Sequence, residues 1–301
     1  MQIDDVKKIL ILGAGQMGQQ IGFLCAAHGF AVTYYDLESA ALERARQRIA
    51  KLAGGFVKKG RLSEAAAAAA LARLTFTTDP VAAAQEADLV SESVPEDPGL
   101  KGKVFHQFHE LCPERTIFTT NTSTLAPSMF AAACGRPEKL AALHFHDTLR
   151  TDVVDIMPHP GTDPAVVSLL HNFCRRLGQV AIVLQKESPG YVFNAMLSEW
   201  FRTAQSLASR GVASPQDIDR AWMGVMGVDA GPFAIMDSVG LDTVYHITNY
   251  WAERSGLPQA KLNAEFLKIY VDQGHLGMKT GKGFYDYPDP AFARPDFLPG
   301  K

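Results

Sequence analysis

Residues 142–148 read Ala-Leu-His-Phe-His-Asp-Thr, placing His144 and His146 two positions apart with Asp147 directly behind. On a strand, positions i and i+2 share a face. The pair can chelate a metal together with Asp147, supply one catalytic base, or simply be a hydrogen-bonded polar pair. An imidazole titrates near neutral pH, so it can take a proton in one direction of a reaction and return it in the other. Such a base works best with a carboxylate on its second ring nitrogen, which fixes the tautomer and stabilises the imidazolium. The next strand-like stretch, "DVVDIM", offers Asp155, with Asp147 and Asp152 as substitutes if Asp155 falls short.

A second cluster is Gly13-Ala14-Gly15-Gln16-Met17-Gly18. Alone, a GxGxxG run says little. Here it follows the apolar run Lys8–Leu12, opens the helical stretch "QMGQQIGFLCAAHG" and leads to a second strand ending in Asp36, the βαβ setting of a dinucleotide fingerprint. Gly13 permits the tight turn, Gly15 lets a pyrophosphate approach the backbone, and Gly18 lets helix and strand pack closely. The helix N-terminus presents unpaired N–H groups to the phosphates. Asp36 sits where a carboxylate can bond both ribose hydroxyls, and Glu38 would repel a 2′-phosphate. NAD rather than NADP is the expected cofactor.

The elements that must position these groups change character near residue 187. Up to there, the strand-like runs 8–12, 31–36, 88–94, 116–120, 140–146 and 180–184 alternate with helical stretches, and most are apolar throughout. That pattern predicts a mostly parallel, doubly wound sheet covered on both faces, an α/β domain over 1–187. From 188 to 301 the pattern is helical, predicting a smaller all-α domain. "SPQDID" marks one helix start, with Ser214 as N-cap and Pro215 at the first helical position. Asp217 and Asp219 in that stretch read as structural acids at a helix start. The alanine run 65–70, preceded by Ser63-Glu64, reads as a plain helix.

With 47% hydrophobic and 20% charged residues, the chain has the composition of a globular protein. A net charge of −3 argues against a nucleic-acid partner. No apolar run reaches membrane-spanning length, so no membrane partner is expected. Cys25, Cys112, Cys134 and Cys174 form no Cys-x-x-Cys pair, consistent with a reduced, cytoplasmic protein.

The ordered motifs "GAGQMG", "SESVPEDPGLKGKVF", "NTSTL", "ALHFH", "SPGYVFN", "DIDRAW", "GPFAIMDSVGLD" and "KTGKGFYDY" resemble those of the 3-hydroxyacyl-CoA dehydrogenases over essentially the whole chain. The resemblance implies NAD-dependent oxidation of an L-3-hydroxyacyl-CoA to the 3-oxoacyl-CoA, in homodimers built mainly through the helical domain. It places His144 as the base, with Asp155 where the family usually has glutamate. Ser123 meets nicotinamide and substrate, Asn194 holds the substrate, and Glu96, Lys101 and Asn121 lie by the cofactor. Lys279 reaches the nicotinamide nucleotide. Lys59, in the basic cluster Lys58–Arg61, lies near the CoA phosphates, although a bare charge run is also what a solvated helix end looks like. A nicotinamide dehydrogenase of this kind needs no metal, so none is expected. The family commonly reads His-Phe-Phe-Asn-Pro at residues 144–148, so His146, Asp147 and Thr148 are departures beside the reacting carbon. Two rivals remain: a dehydrogenase of free 3-hydroxy acids of the L-gulonate type, and a dinucleotide-binding structural protein related to lambda-crystallin.

Overall fold

A computed structural model of the chain describes residues 1–298. Two compact units divide between Val192 and Phe193. The first is built on an eight-stranded sheet: β1 (Lys8–Leu12), β2 (Ala31–Tyr35), β3 (Leu74–Thr77), β4 (Leu89–Glu92), β5 (Ile117–Thr120), β6 (Leu140–Phe145), β7 (Val153–Pro158) and β8 (Val180–Val183). Their spatial order is 3-2-1-4-5-6-7-8, and every neighbouring pair is parallel except the antiparallel β6–β7.

The near-continuous apolar strands have two faces to cover. Ile9 and Ile11 of β1 join one core cluster with Val32, Tyr34, Leu143 and Phe145. Leu10 and Leu12, pointing the other way, join a second cluster with Val90, Phe105, Phe118 and Phe130. The chain order reverses direction between β1 and β4, so the C-terminal ends of these two strands part and leave the crevice in which open α/β sheets bind ligands.

Each expected strand is present to within two residues, and β3 is an addition. β3, Leu-Thr-Phe-Thr at the sheet edge, does alternate apolar and polar, but over four residues only, one of them exposed and none buried. The alanine run is a helix, Glu64–Leu71, capped by Ser63, whose hydroxyl accepts the Ala66 N–H.

The second unit is helical: Phe193–Ser209, Pro215–Met226, Pro232–Val239, Leu241–Ser255 and Pro258–Asp272. Ser214 caps the second of these as expected, accepting the Asp217 N–H at 3.1 Å. Asp219 is structural too, for a different reason from the helix dipole. It is fully buried and accepts the N–H groups of Phe233 and Ala234 and the Tyr285 hydroxyl, at 2.8 to 2.9 Å. Asp237 does the same for the N–H groups of Phe284 and Tyr285 and the hydroxyl of Tyr287. A Cβ on Gly283 would lie 2.1 Å from Asp237 Oδ1, so the second glycine of "KTGKGFYDY" makes room for this clasp.

Candidate active site

The glycine-rich turn follows β1. Gly13 has φ +97°, a region open chiefly to glycine, and its backbone passes the Ser93 carbonyl too closely for a side chain. A Cβ on Gly18 would meet the Gly13 carbonyl oxygen at 2.1 Å, so only glycine lets the helix Gln16–Ala27 start against the turn. Around Gly15 nothing lies within 4 Å of where a Cβ would stand. Here the backbone is open to an approaching pyrophosphate, and the Ser93 hydroxyl beside the turn is buried without a hydrogen-bond partner among the described residues. Asp36, just past β2, accepts the Ala14 N–H at 2.9 Å and the Glu38 N–H at 3.2 Å. The carboxylate therefore braces the turn and still has lone pairs for ribose hydroxyls. These features fit a dinucleotide.

From the end of β4, Glu92 turns inward with no exposure. It accepts from Lys101 Nζ at 2.7 Å, Thr120 Oγ1 at 2.6 Å and the Val94 N–H at 2.6 Å. Burial pushes its carboxyl up, against the opposing pull of Lys101 and the other donors. Lys101 is 1% exposed, and its ammonium is taken up by Glu92, the Val94 carbonyl and Glu96. Removing one partner of such a buried pair typically costs about 3–5 kcal/mol. Glu96 gathers the loop after β5, accepting the hydroxyls of Thr122 and Thr124 and the N–H groups of Ser123 and Thr124. Burial alone would raise its carboxyl, but these donors and Lys101 outweigh it and hold it low. The result is a fixed loop that leaves Ser123 exposed. Asn121 accepts the Phe145 N–H at 2.7 Å, tying that loop to the end of β6.

At the end of β6, the antiparallel register sets His144 opposite Asp155 of β7. His144 Nδ1 lies 3.2 Å from Asp155 Oδ2, and His146 Nε2 lies 3.0 Å from the same oxygen. Asp155 is 1% exposed. Burial would raise its carboxyl, yet the hydrogen bonds from both histidines hold it below its ordinary value. Asp147 and Asp152 are engaged elsewhere: Asp147 accepts the Leu149 N–H and faces Arg150, while Asp152 pairs with Arg61. Any metal cluster here is therefore His144, His146 and Asp155, rather than the set with Asp147.

Two contributors stand inside the stretches "SPGYVFN" and "QMGQQIGFLCAAHG", but no role is assigned to them there. Tyr191 stacks on His144 with ring centroids 4.6 Å apart and donates to the Thr122 carbonyl at 2.6 Å. Its φ of 55° is unusual for a residue with a side chain, and the phenol bond and ring stack hold it there. Gln20, in the glycine-turn helix, accepts both the N–H and the hydroxyl of Thr148. This bond couples the helix to the segment after His146.

The remaining expected residues have the following partners within their own units. Lys59 Nζ donates to the Leu149 carbonyl at 3.0 Å, and Arg61 donates to the Thr148 carbonyl. In the second unit, Asn194 stands in the first turn of its helix. Lys279 is bound to both oxygens of Asp242 at 2.5 Å.

Comparison with known proteins accounts for both units. Residues 8–188 match the family model "3-hydroxyacyl-CoA dehydrogenase, NAD binding domain", and residues 190–287 match the family's C-terminal domain. The mitochondrial hydroxyacyl-coenzyme A dehydrogenase of Rattus norvegicus is 32% identical, covering 94% of this chain and 91% of its own. The crystal structure of (S)-3-hydroxybutyryl-CoA dehydrogenase from Ralstonia eutropha has TM-score 0.84 at 29% identity, covering 94% of this chain and 100% of that one. A diketoreductase described as performing substrate-directed dual catalysis of dicarbonyl compounds has TM-score 0.87 at 39% identity, covering 94% and 99%. This chain belongs to the 3-hydroxyacyl-CoA dehydrogenase family, as an oxidoreductase with NAD as its cofactor.

Proposed function

We propose that the protein reversibly oxidises an L-3-hydroxyacyl-CoA to the 3-oxoacyl-CoA, as in fatty-acid β-oxidation or butanoate metabolism. It would act as a cytoplasmic homodimer. The observation that carries this reading is the His144–Asp155 pair at 3.2 Å, beside the Ser123 loop at the C-terminal edge of the sheet. With Asp155 ionised, the imidazole proton sits on Nδ1 and Nε2 keeps its lone pair for the substrate. As the C3–H hydride leaves, Nε2 takes the hydroxyl proton, and Asp155 stabilises the imidazolium that results. Ser123 donates to the substrate oxygen. NAD, when bound on the glycine turn, supplies the hydride acceptor. Glu96, Lys101 and Asn121 fix the loops around it. Glu38 beside Asp36 disfavours NADP.

A second reading has a specific observation behind it. The basic cluster is the feature that argues for a CoA thioester, yet Lys59 and Arg61 bond the chain's own 148–152 segment. The likeness to a diketoreductase at 39% identity supports a second substrate class, dicarbonyl compounds. One assay separates the two readings. NADH formation is compared for 3-hydroxybutyryl-CoA, a longer 3-hydroxyacyl-CoA and the matching free acids, and NADH consumption is followed with a dicarbonyl compound. The CoA reading expects kcat/KM to be highest for a thioester. It fails if the free acid or the dicarbonyl compound is preferred.

A further inference from the structure

Asp155 Oδ2 is shared. It faces His144 Nδ1 at 3.2 Å and His146 Nε2 at 3.0 Å, and the three ligand atoms lie within 4.8 Å of one another. In a tetrahedral zinc site with bonds of ~2.0–2.1 Å, neighbouring ligand atoms are about 3.3 Å apart. The two contacts to Asp155 therefore already have nearly the length of coordination edges. The donor set, two imidazoles and a carboxylate, suits zinc and its borderline neighbours and is poor for magnesium or calcium. Burial adds to this: His144 is 5% and Asp155 1% exposed, so the ligands are held by packing rather than by solvent. Tyr191 stacked on His144 and the β6–β7 register fix two of the three groups.

We propose that His144, His146 and Asp155 form a site for a zinc-class divalent cation whose occupancy switches the base off. The binding part stands on the geometry alone, and the inhibition rests on His144 being the base. A neutral imidazole that ligates through Nδ1 must carry its proton on Nε2. Zinc at this site therefore replaces the hydrogen bond to Asp155 and forces the opposite tautomer. Nε2 becomes an N–H donor and cannot accept the proton of a substrate hydroxyl. No change in net protonation is needed, since the proton moves from one nitrogen to the other. His146 supplies the third ligand, and a phenylalanine in its place would leave only two.

The test uses the full-length protein freed of chelators. Zinc is titrated in competition with a chromophoric zinc chelator, with circular dichroism confirming that each variant is folded. The wild-type chain should bind one zinc per chain. H146F should lose at least about tenfold in affinity. H146Q, which can still bond Asp155 but ligates zinc poorly, should lose a similar amount. Turnover of the wild type should fall as the site fills and return with EDTA, while magnesium at the same concentration has no effect. Equal zinc affinity in the wild type and both variants overturns the site. Stoichiometric zinc binding with undiminished turnover overturns the switch. If no tested substrate turns over, the reading of function fails, and the chelator titration still decides the site.

Discussion

Asp155 of the sheet unit and Asp219 of the helical unit are the same residue at nearly the same burial, 1% and 0% exposed. Their partners differ. Asp155 faces two imidazoles that can become cations, and it is held below its ordinary value. Asp219 faces backbone N–H groups and a phenol, all neutral, with Asp237 as a second buried acid nearby. Burial therefore prevails over its hydrogen bonds and pushes it up to about 6. Asp237, against neutral donors only, is likewise raised by burial. Burial alone does not make a carboxylate reactive. It becomes a charge stabiliser where its partner can accept a proton during the reaction, and a strut where its partners only need an acceptor.

The largest test of this contrast is His144→Ala. Loss of the proton acceptor should lower kcat by ~10²–10⁴-fold. NAD binding, measured by fluorescence or calorimetry, should survive because the glycine turn and Asp36 are untouched. Near-normal turnover would end the reading of His144 as base.

Paired amide substitutions come next. Asp155→Asn should lower kcat by about 10–100-fold with little change in Tm, since an amide can bond a ring but cannot stabilise an imidazolium by charge. Asp219→Asn should do the reverse. Its oxygens accept on both sides, so an amide NH2 must confront a donor, costing about 1–3 kcal/mol of stability. If both variants were hurt in Tm alone, the two acids would have the same job.

A pH titration sharpens the contrast. Because the folded-state value of Asp219 is raised, its contribution to stability is complete below its ordinary value of 3.8 and is lost as pH rises through about 6. Asp155 has the opposite sign: its contribution is present above 3.8 and is lost as pH falls through its lowered folded value. Carbon-13 NMR of the labelled aspartates should find the Asp219 midpoint close to 6. A midpoint at or below 3.8 would mean that the neutral donors suffice to keep it charged.

The smallest effect belongs to Asp36, which braces backbone N–H groups as Asp219 does but sits at the cofactor turn. Asp36→Ala should raise the KM for NAD by roughly tenfold and narrow the preference over NADP, as expected for one charge-assisted hydrogen bond. Equal kcat/KM with both cofactors in the unmodified protein would remove the basis for that preference.

Much of the architecture depends on local chemistry and is legible in the residues. The glycine turn needs Gly13 and Gly18 for backbone reasons that act within a few residues. Ser214-Pro215 and Ser63 cap helices through bonds three residues long. Apolar runs report that a strand is covered on both faces without revealing its neighbours. β3 escaped because the alternation of Leu-Thr-Phe-Thr is only four residues long, the shortest run that can signal a strand. What tertiary structure decided is pairing. Asp155, rather than Asp147 or Asp152, meets His144 because β6 and β7 run antiparallel in one particular register. Lys101 is buried on Glu92, nine residues back, because β4 and the helix Pro98–Leu111 bring them together. The "KTGKGFYDY" segment clasps Asp237, about fifty residues earlier in the chain. Sequence determines which groups can accept or donate a proton, but the energy of a buried charge depends on the atoms within a few ångströms. Those atoms come from distant parts of the chain that only the fold brings together.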